Sequence, residues 1–401
     1  MADKAELLKE LYPEDNFNIG DNLTDGEVEV LYELRQSLEK HLRPVINEYW
    51  EKGETPFEQF KAVVNDVNYL KDPRVYQTEG LFNTSQYYTF FLAYELSRFD
   101  VSISTFSGVH SGLGFYTFLL GGNDEQRERW CEKILDFELQ TCFALTEPEH
   151  GSDVAGGLET VAKKDGDKWI LNGHKRWIGG ATTADIIPVF AKDADTGDVK
   201  CFVVEKGQEG LEIEKIGGKI SLRMVENADF TLNNVEVKEE NRLQNINSFK
   251  DVAKVLYITR SGVAFSATGM MAGALEATLK YVKERKQFGR PIAKFQLIQE
   301  KIAVMKANLT ASLALCDQIV KQQEKGNFDE VNSSIGKLFI SQRLRESVAA
   351  GRAACGGNGI TLEKGIARFF ADAEAIFTYE GSYEMNALII GRSLTGHSAF
   401  V

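Results

Sequence analysis

Between Ile298 and Val320 the apolar residues Ile298, Ile302, Met305, Leu309, Leu313, Cys316 and Val320 follow one another at spacings of 4, 3, 4, 4, 3 and 4. This is a single stripe on a helix of 3.6 residues per turn, uninterrupted by Pro or Gly. A helix with one apolar face needs partners to cover it. Residues 252 to 284 and 329 to 355 supply two further long helical patterns, set off by Gly289-Arg290-Pro291 and by Gly326-Asn327. Three such helices in sequence imply a bundle.

The middle of the chain has another period. From about 142 to 240 the apolar residues come in short alternating runs, such as Phe230 and Leu232, then Val235 and Val237. Asn172-Gly173, Thr196-Gly197 and Gly217-Gly218 read there as turns. Helix-like runs around 27 to 50 and 83 to 98 precede it. The chain therefore divides into a helical N-terminal domain over 1–141, a β domain over 142–248 and a helical bundle over 249–401, a division that suits 401 residues.

Composition narrows the function. Forty-six Lys and Arg against 59 Asp and Glu give a net charge of −13, which repels nucleic-acid phosphates and anionic lipid. Residues 101 to 123 are uncharged but carry seven Ser, Thr or His side chains, so they read as a buried segment and not as a membrane span. The N-terminus has neither a signal-peptide core nor transit-peptide character, so a cytoplasmic location is the expectation. Five cysteines with no CxxC pair, and no His at ligand spacing, imply reduced thiols and no metal. No G-x-G-x-x-G or P-loop occurs, so a nucleotide cofactor is held in some other way.

Three stretches could carry chemistry, and each has a plainer reading. Thr146-Glu147-Pro148-Glu149-His150-Gly151-Ser152-Asp153 offers hydroxyls and free N–H groups to a ring or phosphate, or is a simple Pro-Gly turn. Lys280 to Lys294 is a basic island on an acidic chain, suited to a pyrophosphate or to the end of a helix macrodipole. In Tyr379-Glu380-Gly381-Ser382 the carboxyl follows the apolar run Ala375-Ile376-Phe377; desolvation would raise its pKa, while a helix capped by Ser382 would lower it. An exposed Glu beside a cap fits equally. Gly356-Gly357-Asn358-Gly359 reads as a helix end and turn.

Taken in order, Leu145-Thr146-Glu147-Pro148 with Gly151-Ser152-Asp153, Lys175-Arg176-Trp177-Ile178, Arg285-Lys286-Gln287-Phe288-Gly289, the glycine turn at 356 and Tyr379-Glu380-Gly381 resemble the acyl-CoA dehydrogenase and oxidase family. The resemblance covers roughly residues 85 to 400 and is nearest the branch of glutaryl-CoA dehydrogenases and plant short-chain acyl-CoA oxidases. It implies a helical N-terminal domain, a β-barrel middle domain and a C-terminal four-helix bundle that builds a homotetramer. It implies FAD, touched by Phe143, Leu145, Thr146, Ser152, Trp177, Ile178 and Gly179, by Gln296, Ser382 and Glu384, and across a subunit boundary by Arg285, Phe288, Gly356 and Gly357. It gives Glu380 the α-proton of an acyl-CoA and the flavin the β-hydride, with Ser152, Ser104, Arg260 and Gly381 toward the substrate.

Two departures stand out. Gly179 replaces the Thr that many dehydrogenases place after Trp-Ile, as the plant oxidases do, and Ala353 replaces a Gln before the glycine turn. The expected activity is conversion of a short- to medium-chain neutral acyl-CoA to the trans-2-enoyl-CoA, with electrons passed to an electron-transferring flavoprotein. The alternatives are an oxidase that uses oxygen, a glutaryl-CoA dehydrogenase, a flavin monooxygenase or nitroalkane oxidase on the same fold and, furthest off, a non-enzymatic helical assembly protein. Ser104 stands where glutaryl-CoA dehydrogenases carry an Arg, and Arg98, six residues earlier on a helix, should face elsewhere.

Overall fold

The computed structural model describes residues 3–76 and 83–399, and its elements run helical, β, helical. The first group is α1 (Lys4–Leu11), α2 (Asp25–His41), α3 (Ile46–Lys52), α4 (Phe57–Asp66), α5 (Gln86–Phe99), α6 (Val101–Gly108), α7 (Phe115–Gly121) and α8 (Asp124–Leu135). α2 starts at a capping box in which Thr24 and Glu27 each accept the other's main-chain N–H. The uncharged segment is not one helix, because a π-helical turn, Val109–Gly114, separates α6 from α7. Its polar groups are buried with partners: Ser107 meets the Tyr69 hydroxyl at 3.0 Å and His110 Nε2 the Ile134 carbonyl at 2.7 Å. Among the described residues no helix is long and apolar enough to cross a membrane.

After a short α9 (Val154–Gly157) come β1 (Val161–Asp165), β2 (Lys168–Ile178), β3 (Ile186–Asp193), β4 (Val199–Glu205), β5 (Leu211–Lys215) and β6 (Ala228–Lys238), forming one sheet in the order β4-β3-β1-β2-β6-β5. Thr196-Gly197 and Gly217-Gly218 do join strands. Asn172-Gly173 does not: it lies inside β2 at a bulge, and a Cβ on Gly173 would fall 2.4 Å from Thr160 Oγ1. Close approach, and not a turn, requires that glycine. The extra residue is on β6, where Asn234 N–H donates to Asn172 Oδ1 at 2.9 Å. The skipped residue lets Phe230, Leu232, Val235 and Val237 all point into the core.

The last group is α10 (Phe249–Thr259), α11 (Gly262–Glu284), the small hairpin β7 (Lys286–Gln287) and β8 (Arg290–Pro291), α12 (Gln296–Gln323), α13 (Glu330–Ala354), α14 (Ile366–Thr378) and α15 (Tyr383–Thr395). α11, α12, α13 and the α14–α15 pair form the bundle. The α12 stripe buries Met305, Leu309, Leu313, Cys316 and Val320. The pattern over 252 to 284, expected as one helix, is two, broken at Arg260-Ser261. Val252 packs with Phe115 and Leu243, whereas Val263 and Ala264 join the main core, so the two segments serve different cores. At the crossing of α5 over α11 a Cβ on Gly269 would lie 2.1 Å from Tyr94 O, and this contact fuses the N-terminal helices to the bundle.

Candidate active site

Glu380 lies between α14 and α15, and both it and Gly381 have left-handed backbone, with φ of 51° and 84°. For glutamate this costs about 1–3 kcal/mol, so the surroundings must impose it. Ser382 Oγ caps α15 by accepting Met385 N–H at 3.3 Å, and Asn386 Nδ2 donates to Gly381 O at 3.0 Å and Ser382 O at 2.9 Å. From α13 the buried Lys337 Nζ donates to the carbonyls of both Tyr379 and Gly381. Glu380 is exposed to solvent, although many protein atoms surround its carboxyl. Burial raises its pKa, and the positive charges of Lys337 and Arg260 pull part of that back.

α6 joins this loop to the sheet. Thr105 Oγ1 lies 3.5 Å from the Tyr379 hydroxyl, and Ser104 Oγ lies 3.4 Å from Ser266 Oγ on α11. Phe106 packs edge-on to Phe60, and a Cβ on Gly180 would touch its ring at 3.8 Å. A side chain at Gly179 would press on Val225 Cγ1 at 3.2 Å, so the missing hydroxyl belongs to a tightly closed corner.

Beside that corner Trp177 has φ of 65° and remains half exposed, with the Arg176 guanidinium over its ring at 5.0 Å. Arg176 N–H donates to Thr146 O at 3.0 Å, which sets the Thr146 loop next to the indole. The loop is anchored from below by a buried ion pair: Lys175 Nζ is 2.8 Å from Glu147 Oε1 and 3.1 Å from Leu145 O. Glu147 also accepts the N–H groups of Glu159 and Thr160. Leu145 and Ile178 are buried in two separate hydrophobic clusters, Phe143 packs on Phe190, and Ser152 is exposed.

Contacts from Arg176 to Thr146, Gly180 to Phe106 and Thr105 to Tyr379 thus link the Thr146 and Trp177 segments through α6, which carries Ser104, to the Glu380 loop. Arg260 reaches it by charge, pairing with Glu330 at 2.6 Å while acting on Glu380. Glu384 is exposed on the first turn of α15. Arg285, Phe288, Gln296, Gly356 and Gly357 do not belong to the region within one chain. Lys337 and the end of α13 at Ala354 are 17 residues apart, roughly 25 Å of helix, and the glycine turn lies beyond. There Asn358 Nδ2 bonds the Tyr281 hydroxyl at 2.8 Å, and Phe288, 92% exposed, tips the β7–β8 hairpin. Arg98 faces away as expected, held by Glu95 and Glu276. Lys337 escapes a search for motifs, but it shares a helix face with the buried Ser333, Ile340 and Leu344, and a lysine on a buried stripe is a signal.

Three family models match the chain: acyl-CoA dehydrogenase, N-terminal domain over residues 24–138, middle domain over 142–235 and C-terminal domain over 249–395. A 3-(aryl)acrylate reductase of Clostridium sporogenes is 33% identical over 365 residues, 90% of this chain and 96% of that one. A glutaryl-CoA dehydrogenase structure from Mycobacterium smegmatis superposes with a TM-score of 0.88 at 32% identity, covering 96% of this chain and 98% of that one; another from the same organism, in complex with FADH2, has the same TM-score and coverage at 29% identity. Butyryl-CoA dehydrogenase from Megasphaera elsdenii gives 0.85 at 27%, over 93% and 99% of the two chains.

Proposed function

The chain belongs to the acyl-CoA dehydrogenase family of flavin-dependent oxidoreductases acting on CH–CH groups, and we propose that it desaturates a short- to medium-chain neutral acyl-CoA to the trans-2-enoyl-CoA, with Glu380 as the base. The observation that carries this is the Glu380 loop, where a carboxyl with a raised pKa sits at an accessible, deep position on a backbone that the surroundings hold in place.

The residues present fit FAD. Trp177 presents half its indole to solvent from a left-handed backbone, beside the half-buried Thr146 and the side-chain-free corner at Gly179 and Gly180. When bound, FAD supplies the two-electron acceptor for the substrate β-hydrogen. Arg285, Phe288, Gln296, Gly356 and Gly357 would hold the cofactor's pyrophosphate and adenosine end for a second copy of the chain in a homotetramer. Their exposure, and their distance from Glu380 along α13, support a role in trans.

The chain's own chemistry is proton transfer. Glu380, ionised, takes the α-proton as the C–C double bond forms and the β C–H electron pair departs. The raised pKa brings the carboxyl nearer to that of the weakly acidic α-carbon, and Phe106, Tyr379 and Trp177 help to keep water away. Ser104 Oγ meets the Ser266 hydroxyl and Arg98 is committed to Glu95 and Glu276, which supports a neutral acyl end rather than a distal carboxylate there. Electron-transferring flavoprotein is the proposed electron acceptor, with oxygen as the rival that Gly179 raises.

Anaerobic addition of butyryl-CoA to the yellow protein should bleach the flavin, and slow recovery of colour in air would favour the dehydrogenase over the oxidase. No bleaching with butyryl-, hexanoyl- or palmitoyl-CoA would reject the reading.

A further inference from the structure

The main-chain oxygens on either side of Glu380 share one partner. Lys337, 1% exposed, extends from α13 and donates from Nζ to the carbonyls of Tyr379 and Gly381. Around it the neighbouring positions on the same helix face, Ser333, Ile340, Ser341 and Leu344, are buried. A buried ammonium is costly unless hydrogen-bonded, and this one is spent on two carbonyls of the turn, of which Gly381 O also accepts from Asn386 Nδ2 at 3.0 Å.

We propose that Lys337 is a positioning residue for the base: its ammonium pins the two carbonyls flanking Glu380 and holds that residue in its left-handed conformation, with the carboxylate presented for proton abstraction. The inference rests on Glu380 being the base. The charged and titratable groups that face the pair are few. Glu380 comes from the α14–α15 loop, Arg260 from the α10–α11 junction with its partner Glu330 on α13, and Tyr379 lies with its ring 5.8 Å below Nζ. Burial lowers the pKa of Lys337, the Glu380 charge raises it again and Arg260 lowers it. On Glu380 burial acts upward and both cations act downward, so deleting Lys337 leaves burial less opposed.

Lys337→Met, prepared as the FAD-loaded enzyme, should lose about a hundredfold in kcat, the scale of a misplaced reacting group, with KM for butyryl-CoA nearly unchanged. The acid limb of its kcat/KM profile should move upward by roughly one pH unit. Lys337→Arg, which keeps the charge but not the shape, should lose rate while its acid limb stays in place. If Lys337→Met does not load FAD, Lys337→Gln, neutral but still able to donate, is read in the same way. A wild-type rate, or a lower rate with an unmoved acid limb, in the neutral variant overturns the proposal, since a purely structural lysine would leave the limb alone. Glu380→Gln separates the two ideas: if it retains activity the base assignment fails, whereas if it is inactive and the neutral Lys337 variant is normal only the positioning role fails.

Discussion

Asp372 Oδ1, on α14, accepts the main-chain N–H of Leu222 at 2.7 Å and so ties the helix that leads into Glu380 to the loop between β5 and β6. Its Oδ2 accepts from Trp50 Nε1 at 3.3 Å, while Asp100 nearby holds Arg368 at 3.1 Å. One carboxyl on α14 therefore joins the N-terminal helices, the sheet domain and the bundle.

Burial first, and the Asp100 charge second, raise the pKa of Asp372. A carboxyl raised in the folded state favours folding where it is protonated, so its contribution is lost as pH climbs from the ordinary carboxylate range through the raised value. Asp372→Asn should flatten that slope. Thermal unfolding of both proteins in mildly acid and mildly alkaline buffer measures it, and an identical slope in the variant would show that this carboxyl does not titrate there.

Glu380→Gln should keep its flavin and lose roughly two to four decades of rate, the worth of a positioned proton-transfer group. In the wild type only the ionised carboxylate accepts a proton, so kcat/KM should fall on acidification at a pH above the ordinary carboxylate range. Stopped-flow reduction of the variant at near-normal rate would remove Glu380 from the reaction.

Arg285→Ala should purify largely free of FAD and dissociate more readily. Each charge-assisted bond from a guanidinium to pyrophosphate contributes about 1.5–3 kcal/mol, and no neutral side chain replaces it. Absorbance and size-exclusion chromatography give the answer; full occupancy in an unchanged assembly means that the basic island only ends a helix.

Lys175→Met should destabilise the protein by about 3–5 kcal/mol, because it strands Glu147 in a place that is 3% exposed. Adding Glu147→Gln should recover part of the loss. Denaturant unfolding of the three variants tests this, and additive losses would mean that the pair is not coupled.

Glutaryl-CoA should be a poor substrate, about a thousandfold below butyryl-CoA in kcat/KM, because an unpaired buried carboxylate costs several kcal/mol. Equal or better use of glutaryl-CoA would overturn the role given to Ser104.

By itself the sequence carries the helix–sheet–helix order, since apolar periods of 3.6 and 2 are local properties of the chain. The Tyr379-Glu380-Gly381 motif, at the end of an apolar helix and before the Ser382 cap, is local too, but it points to a base only through the family resemblance. Gly173 shows the limit of local reading: Asn-Gly looks like a turn, but it lies inside β2, where Thr160 on a neighbouring segment leaves no room for a Cβ. The break at Arg260-Ser261 is likewise settled by which core each half meets. Lys337 and Glu380 lie 43 residues apart, and only the packing of α13 against the α14–α15 loop brings an ammonium onto the two carbonyls beside Glu380. The pKa of Glu380 follows from that packing, because desolvation and charge act through space and not along the chain.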